Sequence, residues 1–497
     1  MIWLGVLLLV IYLQAIVMAS LEYRHPAKAV AWLLVLFIFP IVGFIMYYFI
    51  SRRFSHRSHL PARGTSHLEA AAYEGITGTE EPASGAAGNL EGNIKDKDGC
   101  YLEHGGTANR KPAAAGDQQL DRLLRSVPGP GMTCHNEVTV LTNAEEAYKA
   151  ILEAIEMAED HIHLDYYTIR NDGIGRRFKE ALIAKARQGI EVRVIYDGIG
   201  SYELDEAYLG ELRAAGVETK CFLPALIAFL DKRINYRNHR KIVVVDGKVG
   251  FLGGINIGDE YLGGNPKLGF WRDTHLRISG EAVLSLQGTF LKDWEYVSGI
   301  RIKDERYFPP QSSESSQRVQ IVSGGPDAEE DSILAVTFAA IGGAKERIYI
   351  ATPYFIPNAG IIQALKVAAL SGVDVRIILP GIPDTRIVYW ASLSYAKELL
   401  GAGVKFYQYQ KGFMHAKVIL VDDRLASVGT ANMDLRSFYK NFELNAIIFD
   451  RSTVHRLERD FLQDLKDSKE LRPEHYARRF GLHSFKEILA RLLSPLF

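Results

Sequence analysis

NHRKIVVVDGKVGFLGGINIG (238–258) and MHAKVILVDDRLASVGTANMD (414–434) carry one pattern twice. Each holds His-x-Lys-(x)4-Asp: His239, Lys241 and Asp246 in the first copy, His415, Lys417 and Asp422 in the second. The step from His239 to His415 is also the step from Gly253 to Gly429 and from Asn256 to Asn432. The apolar runs after each lysine predict a buried strand. Alternation along a strand puts the histidine and lysine on one face. Asp246 and Asp422 then fall just past the strand, near a turn. A lone His-x-Lys is weak and common on surface strands; two at matched positions of a duplication are specific.

The duplication extends well beyond the motifs. QGIEVRVI (188–195) parallels SGVDVRII (371–378), and RAAGVETK (213–220) parallels LGAGVKFY (400–407). In the first copy, Asn143 to Glu146 reads as a capping box. A helical face of Ala147, Ile151, Leu152 and Ile155 follows, then a strand over 162–169, a helix around 174–188 and a strand over 190–198. In the second, helices near 329–341 and 360–370 precede strands over 347–357 and 373–381. This is an α/β pattern of two lobes, 120–310 and 311–497, each a mixed sheet flanked by helices. A pseudo-twofold axis relating them brings both motif strands to one interface.

Before the lobes the composition changes twice. Residues 53–119 are dominated by Gly, Ala, Ser, Glu and His, and read as a flexible linker with too little apolar surface to order. Residues 1–52 hold two apolar runs, about 2–19 and 29–50, each long enough to cross a bilayer as a transmembrane helix. Pro40 is tolerable there. Arg52, Arg53 and Arg57 outnumber Arg24 and Lys28, which predicts a multi-pass anchor in the cell membrane with the lobes in the cytoplasm. A net charge of −1 over 497 residues gives no basic excess for nucleic acid. Three scattered cysteines make neither a disulfide framework nor a zinc pattern, and fit reduced thiols. Two further stretches suit a lipid interface: PALIAFLDKRINYR (224–237), and a terminal helix with Phe485, Ile488, Leu489, Leu492 and Leu493 on one face. A buried segment and a helix docked on the core are their ordinary alternatives.

Two imidazoles and two ammoniums suit phosphodiester chemistry. One imidazole can attack phosphorus, the other can move the proton of the leaving and entering alcohols, and the lysines can neutralise the phosphoryl oxygens. No carboxylate cluster for magnesium is evident, so neither a metal nor a cofactor is required.

With these residues the chain resembles the phospholipase D superfamily and, within it, the bacterial cardiolipin synthase family. RHPAKAVAWLLVLFIFP (24–40), NYRNHRKIVVVDG (235–247), TPYFIP (352–357), FMHAKVILVDD (413–423) and RLLSPLF (491–497) carry the resemblance over nearly the whole chain. It implies that Asn256 and Asn432 help bind phosphate, and that Gly253, Gly254, Gly429 and Thr430 let it approach. It implies that Asp273 and Glu443 orient the catalytic histidines, and that Asp246 and Asp422 support the motifs. It makes His239 the nucleophile and His415 the acid/base, which the motifs alone leave open. The implied reaction joins two phosphatidylglycerols into cardiolipin and glycerol, reversibly, through a phosphatidyl-histidine. A membrane-bound hydrolase releasing phosphatidic acid is the nearest alternative, and a non-catalytic lipid-binding anchor a more distant one.

Overall fold

The structure, a computed structural model, describes residues 11–18, 26–39, 43, 47, 115–224, 236–328, 331–472, 474 and 482–496. Its centre is one continuous sheet that reads almost as a palindrome. From one edge run Glu218–Phe222, Glu191–Asp197, His161–Tyr166, Lys241–Val245, Val249–Gly253, Thr274–Gly280 and Thr133–Thr142. The second half continues in mirrored order: Gln317–Gly324, Asn441–Ile448, Leu425–Gly429, Val418–Val421, Arg347–Ala351, Asp374–Pro380 and Lys405–Tyr409, with Ser468–Leu471 added at the far edge. The halves join where Thr133–Thr142 pairs antiparallel with Gln317–Gly324. In each half the strands feeding helices pair in parallel, while the motif strand and its hairpin partner pair antiparallel.

Period-two alternation gives each motif strand two apolar faces. Val243 and Val245 pack under the helices of the first lobe, as Ile419 and Val421 do in the second. Ile242, Val244, Val418 and Leu420 point the other way into a core shared by both lobes. The interface is therefore a hydrophobic core, which fixes the two motifs relative to each other.

Asp246 and Asp422 end their strands in the left-handed region, at φ 54° and 53°. Each carboxylate collects backbone N–H groups at the start of the neighbouring strand. Asp246 accepts from Glu159 (2.9 Å), Asp160 (2.8 Å) and His161 (3.0 Å). Asp422 accepts from Lys345 (3.2 Å), Glu346 (2.8 Å) and Arg347 (3.0 Å). These are the free donors of a strand entry, and an acidic side chain meets several at once.

Several expectations change. The capping box does not form: Thr142 precedes the helix Asn143–Glu156 with its hydroxyl turned to Asp460, and only Glu146 reaches back, accepting from the Thr142 N–H at 2.8 Å. Asn143 has φ 69°, and its side chain accepts from the Asp273 N–H instead. A helix begins at Ala115, inside the stretch read as linker. Its Leu120 and Leu124 lie in the core of the second lobe, so the boundary at 120 does not open the first lobe. Cys134 is disulfide-bonded, against the expectation of reduced thiols. Among the described residues, no helix is long and apolar enough to cross a membrane; the helix Pro26–Ile38 starts before the second predicted span and overlaps its first part. Most of 224–237 lies outside the described residues.

The terminal helix Leu482–Leu493 is docked, but with its apolar face outward. Arg491 pairs with Glu398, Lys486 lies over the Trp390 ring, and Ala490 is buried. Phe485, Ile488 and Leu492 stay 64, 57 and 43 % exposed. Beyond the helix, Leu496 packs against a cluster of Met18, Trp32, Leu36 and Tyr47, so the two ends of the chain meet.

Candidate active site

Each catalytic-motif histidine is held by the opposite lobe. Arg237–Asn238 pairs in parallel with the start of Asn441–Ile448, and the His239 N–H donates to the Phe442 carbonyl at 2.9 Å. In the mirrored arrangement, Gly412–Met414 pairs with Phe270–Arg272, and the His415 N–H donates to the Arg272 carbonyl at 2.7 Å. The next residue on each partner strand is an acid. Glu443 lies 2.9 Å from His239 Nδ1, and Asp273 lies 2.6 Å from His415 Nδ1. Both acids are fully buried. With Nδ1 engaged, Nε2 is the nitrogen each ring presents to a ligand.

The small residues make room for these acids. A Cβ on Gly254 would lie 2.1 Å from Asp273 Oδ1. At the matching position of the other lobe, the Thr430 hydroxyl donates to Glu443 Oε2 at 2.6 Å, and Asn441 Nδ2 donates to Oε1 at 3.1 Å. Thr430 thus braces a carboxylate. That role is invisible in the motif spacing, because Thr430 and Glu443 meet only when their two strands pair.

The lysines complete the set. Lys241 Nζ donates to the His239 carbonyl at 2.6 Å, and Lys417 Nζ to the His415 carbonyl at 2.5 Å. Burial, with each lysine repelling the other, holds Lys241 down at about 7; burial holds Lys417 at about 8, although Asp273 and Glu443 oppose it. Burial likewise lowers His239 to about 4, where Glu443 opposes it and the lysines reinforce it. Burial and Lys417 lower His415 to about 3, against Asp273. Burial would raise Glu443, yet His239 and Lys241 pull it to about 2; His415 and Lys417 do the same, in direction, to Asp273. All six groups therefore feel one another and form one site.

The two asparagines differ. Asn256 is engaged within its own lobe: Nδ2 donates to the Tyr261 hydroxyl at 2.8 Å and Oδ1 accepts from the Thr168 N–H at 3.2 Å. Asn432 Oδ1 is buried with no partner, beside Lys417, Thr352 and Met433. Aromatic rings that motif spacing does not reveal flank the imidazoles: Tyr167 at 5.1 Å from His239, and Trp271 at 5.1 Å from His415.

Known proteins resemble this chain in sequence and in fold. The family model described as cardiolipin synthase, phospholipase D-like domain, matches residues 151–294 and 338–465, and a phospholipase D-nuclease N-terminal model matches 1–52. The chain is 46 % identical over 479 residues to a cardiolipin synthase of Geobacillus kaustophilus, covering 96 % of this chain and 90 % of that one. It is 43 % identical over 478 residues to cardiolipin synthase 2 of Bacillus cereus, covering 96 and 88 %. Among solved structures, phosphatidylserine synthase of Haemophilus influenzae shares the fold, with a TM-score of 0.57 at 16 % identity over 76 % of this chain and 96 % of that one. The duplicated motif, the palindromic sheet and this near full-length similarity place the chain in the cardiolipin synthase family of the phospholipase D superfamily.

Proposed function

We propose that this enzyme, a phosphatidyltransferase by its family, moves a phosphatidyl group from one phosphatidylglycerol to the glycerol hydroxyl of another, releasing glycerol and forming cardiolipin. The observation that carries the reading is the crossed pair of carboxylate–imidazole contacts, Glu443 on His239 and Asp273 on His415, with Lys241 and Lys417 each bonded to its own histidine's carbonyl. His239 Nε2 attacks the phosphorus of the first lipid, neutral because burial keeps its pKa low. His415 gives its proton to the departing glycerol oxygen. The bound phosphodiester and Asp273 support that imidazolium, which the empty site disfavours. The second lipid's hydroxyl then attacks phosphorus, returns a proton to His415 and frees His239. Lys241, Lys417 and the open Asn432 amide face the phosphoryl oxygens. One phosphodiester is broken and one made, so no nucleotide drives the exchange. Cardiolipin mixed with excess glycerol should therefore regenerate phosphatidylglycerol; a reaction that runs only forwards would count against the scheme.

The pH profile follows from the same charges. Activity on dilute substrate should fall below about pH 4, where His239 gains a proton. Above that it should decline as His415, at about 3 in the empty site, holds its proton less often, and more steeply above about pH 7–8, as Lys241 and Lys417 lose theirs. Bound phosphate stabilises the charged lysines, so the alkaline limb of the saturated rate should lie higher than that of kcat/KM. An alkaline limb of kcat/KM near the ordinary lysine value of about 10.4 would contradict the buried pair.

We also read residues 1–52 as a two-helix membrane hairpin, supported by their hydropathy. The outward Phe485, Ile488 and Leu492 extend this apolar surface. Arg52, Arg53 and Arg57 favour lobes on the cytoplasmic side, the disulfide at Cys134 being the contrary observation; cleavage of the lobes by protease added to intact spheroplasts would reverse this topology. Ile488→Asp with Leu492→Asp should leave thermal unfolding unchanged and weaken turnover on vesicle-borne lipid several-fold more than on detergent micelles. Equal loss on both would remove the membrane role of this helix.

A further inference from the structure

The two acid–imidazole contacts are made at the ends of very short strand pairs. Arg237–Asn238 meets Asn441 and Phe442 over two residues, and Phe270–Arg272 meets Gly412–Met414 over three. Such ladders hold few hydrogen bonds, yet each brings a buried acid to 2.9 or 2.6 Å from a ring of the opposite lobe. Beside each acid lies a buried arginine. Arg240 follows His239 in sequence, and Arg272 precedes Asp273. The duplication does not relate the two: Arg240 matches Ala416, and Arg272 matches Phe442. Each half therefore has one arginine, supplied in one case beside the histidine and in the other beside the acid. Both guanidiniums end at the same place, on the main-chain carbonyl of the acid.

Arg240 Nε donates to the Glu443 carbonyl at 3.3 Å and Nη2 to the Gly324 carbonyl at 3.4 Å, across the rung where Gly324 and Glu443 pair in the second lobe. Its guanidinium lies 5.4 Å from the centre of the Phe442 ring, and Nη1 donates to the Asp293 carboxylate at 2.5 Å. Arg272 Nη1 donates to the Asp273 carbonyl and, at 3.1 Å, to the Thr274 hydroxyl; its Nε donates to both Asp464 oxygens at 2.9 Å. All four charged residues are buried. Asp293 belongs to the helix Ala282–Ser298, and Asp464 to the helix Arg451–Lys466. Val283 and Leu286 of the first helix share the central core with Ile242 and Val244; Leu457 and Phe461 of the second share it with Val418 and Leu420. Each anchor thus sits in the lobe whose histidine is served. Glu443 of the second lobe is tied to the first, and Asp273 of the first lobe is tied to the second.

We propose that Arg240 and Arg272 are positioning residues for the reaction, each tying the backbone of one histidine-orienting acid to the lobe that carries that histidine. The inference rests on the roles given above to Glu443 and Asp273 and names what sets their distances. A buried ion pair often adds no net stability over apolar residues of similar volume. What a guanidinium does add is direction, because its planar fork fixes several acceptors at once. Here the acceptors are an anchoring carboxylate and the acid's own carbonyl. A shift of about 1 Å in such a supporting contact costs about 10^2-fold in rate. Each arginine carries its counter-charge with it, so removing both partners together leaves the net charge beside the imidazole unchanged. The effect then falls on geometry, and on kcat more than on KM.

A double-mutant cycle separates positioning from general support of the fold. Full-length enzyme in phosphatidylglycerol micelles is followed by glycerol release, which counts turnover onto lipid and onto water alike. Arg240→Met combined with Asp293→Asn leaves neither charge buried and unpaired. It should lower kcat about 10- to 100-fold, with KM within about twofold. Added to Glu443→Gln, the same pair should cost less than about threefold more, because the contact it sets is already lost. Added to Asp273→Asn, it should keep its full cost. Arg272→Met with Asp464→Asn should show the reverse pattern. If a paired variant does not fold, Arg240→Lys and Arg272→Lys keep a cation on the aspartate while reaching fewer carbonyls, and they carry the same cycles. Equal losses in the Glu443→Gln and Asp273→Asn backgrounds, or no loss of kcat, overturn the proposal. Phosphatidic acid in place of cardiolipin from the wild-type enzyme overturns the transfer reading instead, and the cycles are still read.

Discussion

Alanine at His239 should reduce phosphatidyl transfer by about 10^4-fold or more, because the nucleophile itself is removed. Mixed with lipid labelled at phosphorus and quenched in acid, this variant should carry no protein-bound label. His415→Ala should be almost as slow, since the group that moves the proton is removed. Yet it retains His239 with its Glu443 partner, so label should still appear on His239. The pair of variants therefore separates the two imidazoles, which the near-symmetry of the site does not. Label persisting in His239→Ala would transfer the nucleophile's role to His415 and reverse the assignment.

Glu443→Gln is expected to lose about 10^3- to 10^4-fold in kcat, from a residue of the lobe opposite to the histidine it serves. A buried acid that fixes the tautomer of a catalytic imidazole carries an effect of that order when replaced by an amide. Here the amide would also lose part of its binding to the Thr430 hydroxyl and Asn441. Because Glu443 touches His239 and not the substrate, lipid binding should change little while kcat collapses. Asp273→Asn should behave alike through His415. If Glu443→Gln lowered activity only through KM, the carboxylate would be serving the lipid and not the imidazole.

These expectations show where sequence reading succeeds and where it stops. The two motif strands, the mixed sheets around them and the pairing of lobes were legible because duplication repeats the same apolar period twice. Asp246 and Asp422 were correctly set beyond the strands. Their φ near +54° and their capture of three N–H groups each were not legible, since the captured donors lie some eighty residues upstream. The crossing of the acids was equally hidden: Asp273 and Glu443 could be named from the resemblance, but only strand pairing between lobes shows that each serves the other lobe's histidine. Asn256 and Asn432 look equivalent in sequence. In the fold, Tyr261 and the Thr168 N–H satisfy one, whereas the other keeps a buried oxygen unpartnered. The terminal helix was recognisable by its period, but period alone does not say which face docks. Arg491 and Lys486 turn inward against Glu398 and Trp390, which leaves the apolar stripe outside.

The central claim is exchange between two identical lipids through a covalent histidine, with no other reactant. Purified enzyme given phosphatidylglycerol alone, in the absence of any nucleotide, should yield cardiolipin and glycerol in equal amounts. If phosphatidic acid is the main product, or cytidine-diphosphate-diacylglycerol proves obligatory, the account is wrong.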